Sequence, residues 1–229
     1  MKKLRSVLLL AGDRVPAAAM TELKRHIRRL KRSFGSRRDL DATASLAADI
    51  GGVTLVRSLG RPPRNRNAPQ LSGHRRDLRC LMVLLEQLPC GDVTCDDVAR
   101  SFARACRKAV KAWRLAAASP DARNLHEWRK RLKTVCFQLL FLHPHGARMR
   151  RMFDVADRSG HWLGQINDLE MLSRCLSGKR TTVDKRARSR INHRKAELTR
   201  KALRAGRALD RKEATAGMRK LVRRRLRSL

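Results

Sequence analysis

Thr21-Glu22-Leu23-Lys24-Arg25-His26-Ile27-Arg28-Arg29-Leu30-Lys31-Arg32-Ser33-Phe34 and, about a hundred residues later, His126-Glu127-Trp128-Arg129-Lys130-Arg131-Leu132-Lys133-Thr134-Val135-Cys136-Phe137 decide the fold of this chain. Both scan as amphipathic helices at about 100° per residue. In the first, Leu23, Ile27, Leu30 and Phe34 share one arc, and Lys24, Arg25, Arg28, Lys31 and Arg32 share the next. In the second, Leu125, Trp128, Leu132, Val135 and Leu139 share the equivalent apolar arc, with His126, Arg129, Lys130 and Lys133 in the equivalent basic one. A merely solvated face mixes signs and scatters its charges. Cations repeated in register beside a core face suit two related helices that grip one polyanion.

Working outward, helical periodicity and its breakers divide the chain into about eight helices, near 17–34, 40–59, 68–88, 93–118, 121–142, 147–176, 181–207 and 211–228. Gly35-Ser36, Gly60-Arg61-Pro62-Pro63, Pro89-Cys90-Gly91, His143-Pro144-His145-Gly146 and Ser177-Gly178 punctuate them. Asp92 and Thr94 are candidate caps for the fourth helix, and Ser119-Pro120-Asp121 opens the fifth. No segment alternates β-branched residues with period two, so the fold class is all-α. The helices form two sets of four, split near residue 119. Each set opens with a striped helix and continues with an apolar helix ending in Leu-Gly, Leu59-Gly60 in one and Leu163-Gly164 in the other. An approximate internal duplication is the economical account.

Of 229 residues, 55 are Lys or Arg and 20 are Asp or Glu, a formal charge of +35. Self-repulsion on that scale opposes compactness unless something anionic binds, which implies a multivalent anionic partner. A hydrophobic content of 42% is too high for wholesale disorder. Aromatic residues are scarce, with three Trp, five Phe and no Tyr. Single-stranded nucleic acid is normally held on stacking platforms worth about 1–3 kcal/mol per base, and these are hard to build from so few rings. Phosphates, not bases, are therefore the expected recognition element. Cys80, Cys90, Cys95, Cys106, Cys136 and Cys175 show no CxxC spacing, and several fall on apolar faces. They read as buried free thiols in a reducing cytoplasm. The start, Met1 to Leu10, imitates a secretory leader, but its apolar run of about seven residues stops at Asp13-Arg14. Residues 1–16 are read as an N-terminal extension. No apolar run approaches the roughly 20 residues of a membrane span. The expected location is the cytoplasm, without membrane contact.

The segment from Leu125 to Lys133, followed about thirty residues on by Leu163-Gly164-Gln165-Ile166-Asn167-Asp168-Leu169-Glu170-Met171-Leu172, resembles the second half of the conserved-histidine α-helical domain, the CHAD family. The first stripe resembles that family's opening helix, which reads His-x-x-Arg-x-x-x-Arg-Arg-Leu-Arg. Here Thr21, Lys24, Arg28, Arg29, Leu30 and Lys31 occupy those places. The resemblance covers about residues 17–229, with halves of about 17–118 and 119–229. It implies two pseudo-symmetric four-helix bundles, with inorganic polyphosphate bound in a basic central groove. There are departures. Thr21 stands in place of the first histidine, Thr134-Val135-Cys136 replaces a basic-apolar-Arg continuation, and Gly60-Arg61-Pro62-Pro63 replaces an Arg-Asp-Leu-Asp-like turn. Either the first-half pocket is weaker or its contacts move to Arg61, Arg64 and Arg66.

A polyphosphate chain presents closely spaced oxyanions and offers no base. Arginine forks onto two phosphate oxygens, while lysine supplies a mobile point charge. The candidate binding residues are Lys24, Arg25, Arg28, Lys31 and Arg32 on the first stripe, Arg75, Arg76 and Arg79 on the third helix, and His126, Arg129, Lys130 and Lys133 on the second stripe. His126 can donate to phosphate, and a dense anion favours its doubly protonated form. A surface histidine held by a neighbouring carboxylate is the alternative. Asn167 can donate directly. Asp168 reads either as a carboxylate behind the binding face that orients Arg129 or Lys133, or as half of an ordinary surface ion pair. From Lys179 to Leu229 there are 20 Lys and Arg against 4 Asp and Glu, either more binding surface or a frayed basic tail.

His143, His145 and His161 do not complete a metal-ligand set. No paired-carboxylate or nucleophile constellation stands out, and neither a P-loop nor a Glu-x-Glu-x-Lys alternation is present. The expected function is non-enzymatic polyphosphate binding, with no metal and no cofactor, at polyphosphate granules in the cytoplasm. A nucleic-acid-binding or compacting protein is the alternative, because duplex backbones present the same charge without regard to sequence.

Overall fold

The computed structural model describes residues 2–30, 48–49, 71–88, 92–143, 146–176, 182–210 and 217–227. The described residues form eight α-helices and no strand. These are α1 (Lys2–Leu8), α2 (through residues 17–30), α3 (Leu71–Glu86), α4 (Cys95–Ala118), α5 (Ala122–Phe141), α6 (Gly146–Leu176), α7 (Thr182–Asp210) and α8 (Met218–Leu226). The all-α expectation holds, although the eight helices are a different set from the expected eight. The helix expected at 40–59 lies outside the described residues except for 48 and 49, which are helical. No helix was expected before residue 17, yet α1 is there. It is seven residues long; its apolar residues Leu4, Val7 and Leu8 fall at i, i+3 and i+4, but one such set merging into the leader-like run to Leu10 is too short a pattern to mark a helix.

Punctuation placed the central helices well. Thr94 caps α4 in a capping box: its hydroxyl accepts from Asp97 N at 3.2 Å, while Asp97 Oδ2 accepts from Thr94 N at 3.1 Å. Asp121 caps α5 by accepting from Asn124 N at 2.8 Å. That cap fixes where the basic stripe of α5 begins.

The described residues build two cores. The smaller joins α1, α2 and α3 through Leu8, Met20, Leu23, Ile27, Leu30 and Leu81, with Val15 from the intervening turn. The larger joins α4 to α8 and takes in Leu10. Within it α4 packs against α5, α7 and α8, and α6 fills the far side between α5 and α7. Trp128 of α5 is completely buried, and Trp113 of α4 donates its indole N–H to Leu203 O on α7 at 3.1 Å. Both rings lean on Gly206, where α7 has no side chain. Ion pairs brace the same assembly: Arg219 of α8 reaches Asp96 at 2.7 Å, Asp210 of α7 meets Arg114 at 2.7 Å, and Arg14 contacts Asp97 at 3.2 Å. The buried Gln138 of α5 donates to Ser6 O of α1 at 2.9 Å, which ties the N-terminal helix to the larger core.

Among the cysteines, Cys106 and Cys136 are buried free thiols, as their apolar positions suggested. Burial pushes Cys106 up to about 12 and Cys136 up to about 11, so both stay protonated. Cys80 and Cys175 are instead exposed, and Cys90 lies outside the described residues.

Candidate functional site

The helices α2 and α5 bury their apolar faces in the same register. From Met20, α2 buries Met20, Leu23, Ile27 and Leu30; from Leu125, α5 buries Leu125, Trp128, Leu132 and Val135. The polar positions agree as well. Arg25 and Lys130, at equal register, are exposed, and each pairs with the glutamate three residues before it: Arg25 with Glu22 at 2.9 Å, Lys130 with Glu127 at 2.5 Å. Glu127 also holds Arg131 at 2.6 Å. The Lys130 ammonium above all, with Arg131, keeps its carboxyl below the usual range. Such exposed pairs are weak, typically about 0.2–1 kcal/mol, and yield readily to a denser anion.

The positions just before these pairs differ in kind. Lys24 and Arg129, again at equal register, are half-buried, and neither makes an ion pair among the described residues. The Arg129 guanidinium lies flat against α6 at Gly164, where a Cβ would stand 3.5 Å from its terminal nitrogen. A methyl at Gly164 would touch Arg129 at ordinary contact distance, so the guanidinium covers the place where a longer side chain would start. Arg129 Nε is buried with no hydrogen-bond partner. A half-buried cation with no carboxylate partner among the described residues favours an anion beside it.

One turn before Arg129, His126 Nδ1 stands 3.2 Å from Asn167 Oδ1. Asn167 in turn points its amide nitrogen at Asp168 Oδ1, 3.3 Å away, and at Met171 Sδ, 3.8 Å away. With its nitrogen committed to a carboxylate, Asn167 offers its oxygen to the ring. His126 therefore donates from Nδ1, and Nε2 is the atom left for a ligand. Asp168 thus accepts from Asn167, one residue away. Asn167 also meets His126 across the α5–α6 contact.

His126 and Asn167 line a cleft of about 790 Å³ between α5, α6 and α7. The sequence reading missed three of its cations: Arg123, Arg174 and Lys195. Arg123 was within reach, because it precedes His126 by three residues and shares its face of α5. Arg174 likewise follows Asn167 by seven residues along α6. Lys195 comes from α7, and only the tertiary fold brings it here. Further along α5, Lys133 lies over the Phe137 ring, 6.0 Å from its centroid.

The first stripe borders a separate, more open concavity of about 590 Å³, lined by Ala17, Ala18, Thr21, Glu22 and Arg25. It shares no described lining residue with the cleft of His126. Thr21, which holds the place of the first histidine, donates its hydroxyl hydrogen to Ala17 O at 2.8 Å. Its oxygen has no proton left for a phosphate. Arg28 is exposed on the same helix. Arg75, Arg76 and Arg79 are exposed on α3, whose Leu81 packs under α2. Lys31 and Arg32 lie outside the described residues, as do Arg61, Arg64 and Arg66. Among the described residues no cluster of three or more His, Cys, Asp and Glu could hold a metal ion, and no helix is long and apolar enough to cross a membrane.

No curated protein and no solved structure matches the chain. A family model of the CHAD domain, a domain associated in general with polyphosphate binding, matches residues 1–177, from α1 to the end of α6. That is well over half of the sequence, and it includes both striped helices and the Leu163-Gly164 step on which Arg129 rests. The chain belongs to the CHAD domain family.

Proposed function

We propose that this protein binds inorganic polyphosphate and does not process it. The ligand lies along the cationic faces of α2 and α5, and the protein works at polyphosphate granules. The observation that carries the reading is Arg129: a half-buried guanidinium whose Nε has no acceptor, seated against Gly164 beside His126 and Asn167. A guanidinium offers phosphate two parallel N–H donors, and no carboxylate pairs with Arg129 among the described residues. The exposed Arg25 and Lys130, paired among the described residues with their own helices' glutamates, extend the grip along each stripe. Lys24, Arg28, Arg75, Arg76, Arg79 and Lys133 add charge on the same helices and on α3. The shared burial register of α2 and α5 supports an internal repeat with one anion track on each half.

Binding by charge without base stacking predicts a clear order of ligands. Long-chain polyphosphate, duplex DNA and RNA should be titrated at matched phosphate concentration and moderate salt. Polyphosphate, flexible and with the densest charge, should bind tightest, with affinity falling steeply as salt rises. Equal affinity for all three would remove polyphosphate as the ligand and leave a general polyanion binder. Phosphate release from polyphosphate in the presence of Mg²⁺ or Mn²⁺ would overturn the non-enzymatic assignment.

A further inference from the structure

Glu170 faces the cleft between α5, α6 and α7, among the cations that line it. Lys195 Nζ, from α7, makes a close ion pair with its Oε2, and Arg174 Nε stands 3.8 Å from its Oε1. Both oxygens are therefore held by cations, and all three side chains line the cleft that contains His126, Asn167 and Arg123. The pair is partly shielded from water, with side-chain exposures of 28% for Lys195 and 26% for Glu170. Its attraction therefore exceeds that of an open surface pair.

A carboxylate and a phosphoryl group offer Arg and Lys the same arrangement of two oxygens on one centre. We propose that Glu170 occupies a phosphate position in the free protein, that Arg174 and Lys195 are further phosphate-binding residues, and that displacement of Glu170 sets the selectivity for condensed over single phosphate. This rests on the polyphosphate reading and adds a mechanism to it. Glu170 is tethered, so its effective concentration at Arg174 and Lys195 is high. A lone phosphate must compete with it from solution, and once bound it sits beside the displaced negative charge. A chain already held at His126, Arg129 or Lys130 competes as a tethered group itself. Only a ligand with several linked phosphates removes Glu170 at low concentration. Lys195 lies beyond residue 177, so part of this selectivity comes from outside the segment that matches the family.

The test compares orthophosphate, tripolyphosphate and long-chain polyphosphate on the full chain, using wild type, Glu170→Gln, the double variant Arg174→Gln/Lys195→Gln, and Arg200→Gln as an exposed charge control on α7. Glu170→Gln should tighten orthophosphate by about tenfold or more, tripolyphosphate by less and long-chain polyphosphate least, because it removes a like charge and a competitor at once. The double variant should weaken long-chain binding by about tenfold, and Arg200→Gln by far less. Unchanged selectivity in a folded Glu170→Gln protein would overturn the proposal. So would a double variant that binds like the Arg200→Gln control, a comparison that stands even if Glu170→Gln fails to fold. Failure of the polyphosphate reading looks different: wild type itself would not bind the long chain.

Discussion

Gly206 of α7 faces Trp128 of α5 with no space between them: a Cβ at Gly206 would stand 2.5 Å from Cζ2 of that indole, and equally close to Cδ1 of Trp113. Two rigid ring systems cannot both move aside in a core packed to this density. Gly206→Ala should therefore lower stability by about 1–3 kcal/mol, although alanine is the better helix former. Thermal melts followed by circular dichroism would read this as a reduced Tm. A Tm equal to or above wild type would mean that the rings are not locked against α7.

Charge reversal separates a site from bulk electrostatics. Arg129→Glu with Lys133→Glu should weaken long-chain polyphosphate by about tenfold or more beyond the effect of reversing Arg150 and Arg151, exposed cations at the start of α6. Both double variants change the net charge equally. Equal losses would assign binding to the overall +35 and not to α5.

His126 should contribute directly to binding, because it lines the cleft together with Arg123, Arg174 and Lys195. Its Nδ1 serves Asn167 Oδ1, which leaves Nε2 for a ligand. His126→Ala should weaken long-chain polyphosphate by about threefold to tenfold in calorimetric titrations at fixed pH and salt, the size of one hydrogen bond. Affinity equal to that of wild type would remove His126 from the site.

Acid should loosen the start of α4 through Asp97. The Thr94 hydroxyl first, then the Thr94 backbone N–H and the Arg100 and Arg14 guanidinium groups, hold its carboxyl well below the usual range. The folded value is depressed, so the stabilisation is complete above the unfolded carboxylate pKa of about 3.9. It is lost as pH falls below that towards the folded value. Asp97→Asn should lower Tm clearly at pH 7 and progressively less below about pH 3.5. A Tm difference that stays constant with pH would rule out a charge-dependent role.

The fold was readable where the chain carries punctuation. Pro120-Asp121 and the breakers from His143 to Gly146 placed α5 within a residue of its ends, because caps and helix breakers act locally. The burial register of α2 and α5 followed from the 3.6-residue period alone. α1 escaped because seven residues hold a single i, i+3, i+4 set, too short a pattern to mark a helix; Gln138, far along the chain, donates to Ser6 O and Leu8 packs in the smaller core. The site divides in the same way. His126 and Arg129 were legible as a stripe, whereas the clamp of Lys195 on Glu170 joins residues on different helices, and no local pattern encodes it.

The bracing of α4 by α7 and α8 separates ancestry from autonomy. Similarity ends at residue 177, but Leu198, Ala202, Leu209, Met218 and Val222, all later in the chain, are among the most deeply buried side chains. A polypeptide stopped at that boundary would keep the recognisable signature and lose a wall of its interior, with Trp113 and Trp128 bared where Gly206 had covered them. What inheritance marks out as the domain is thus smaller than what must be synthesised for these helices to stand.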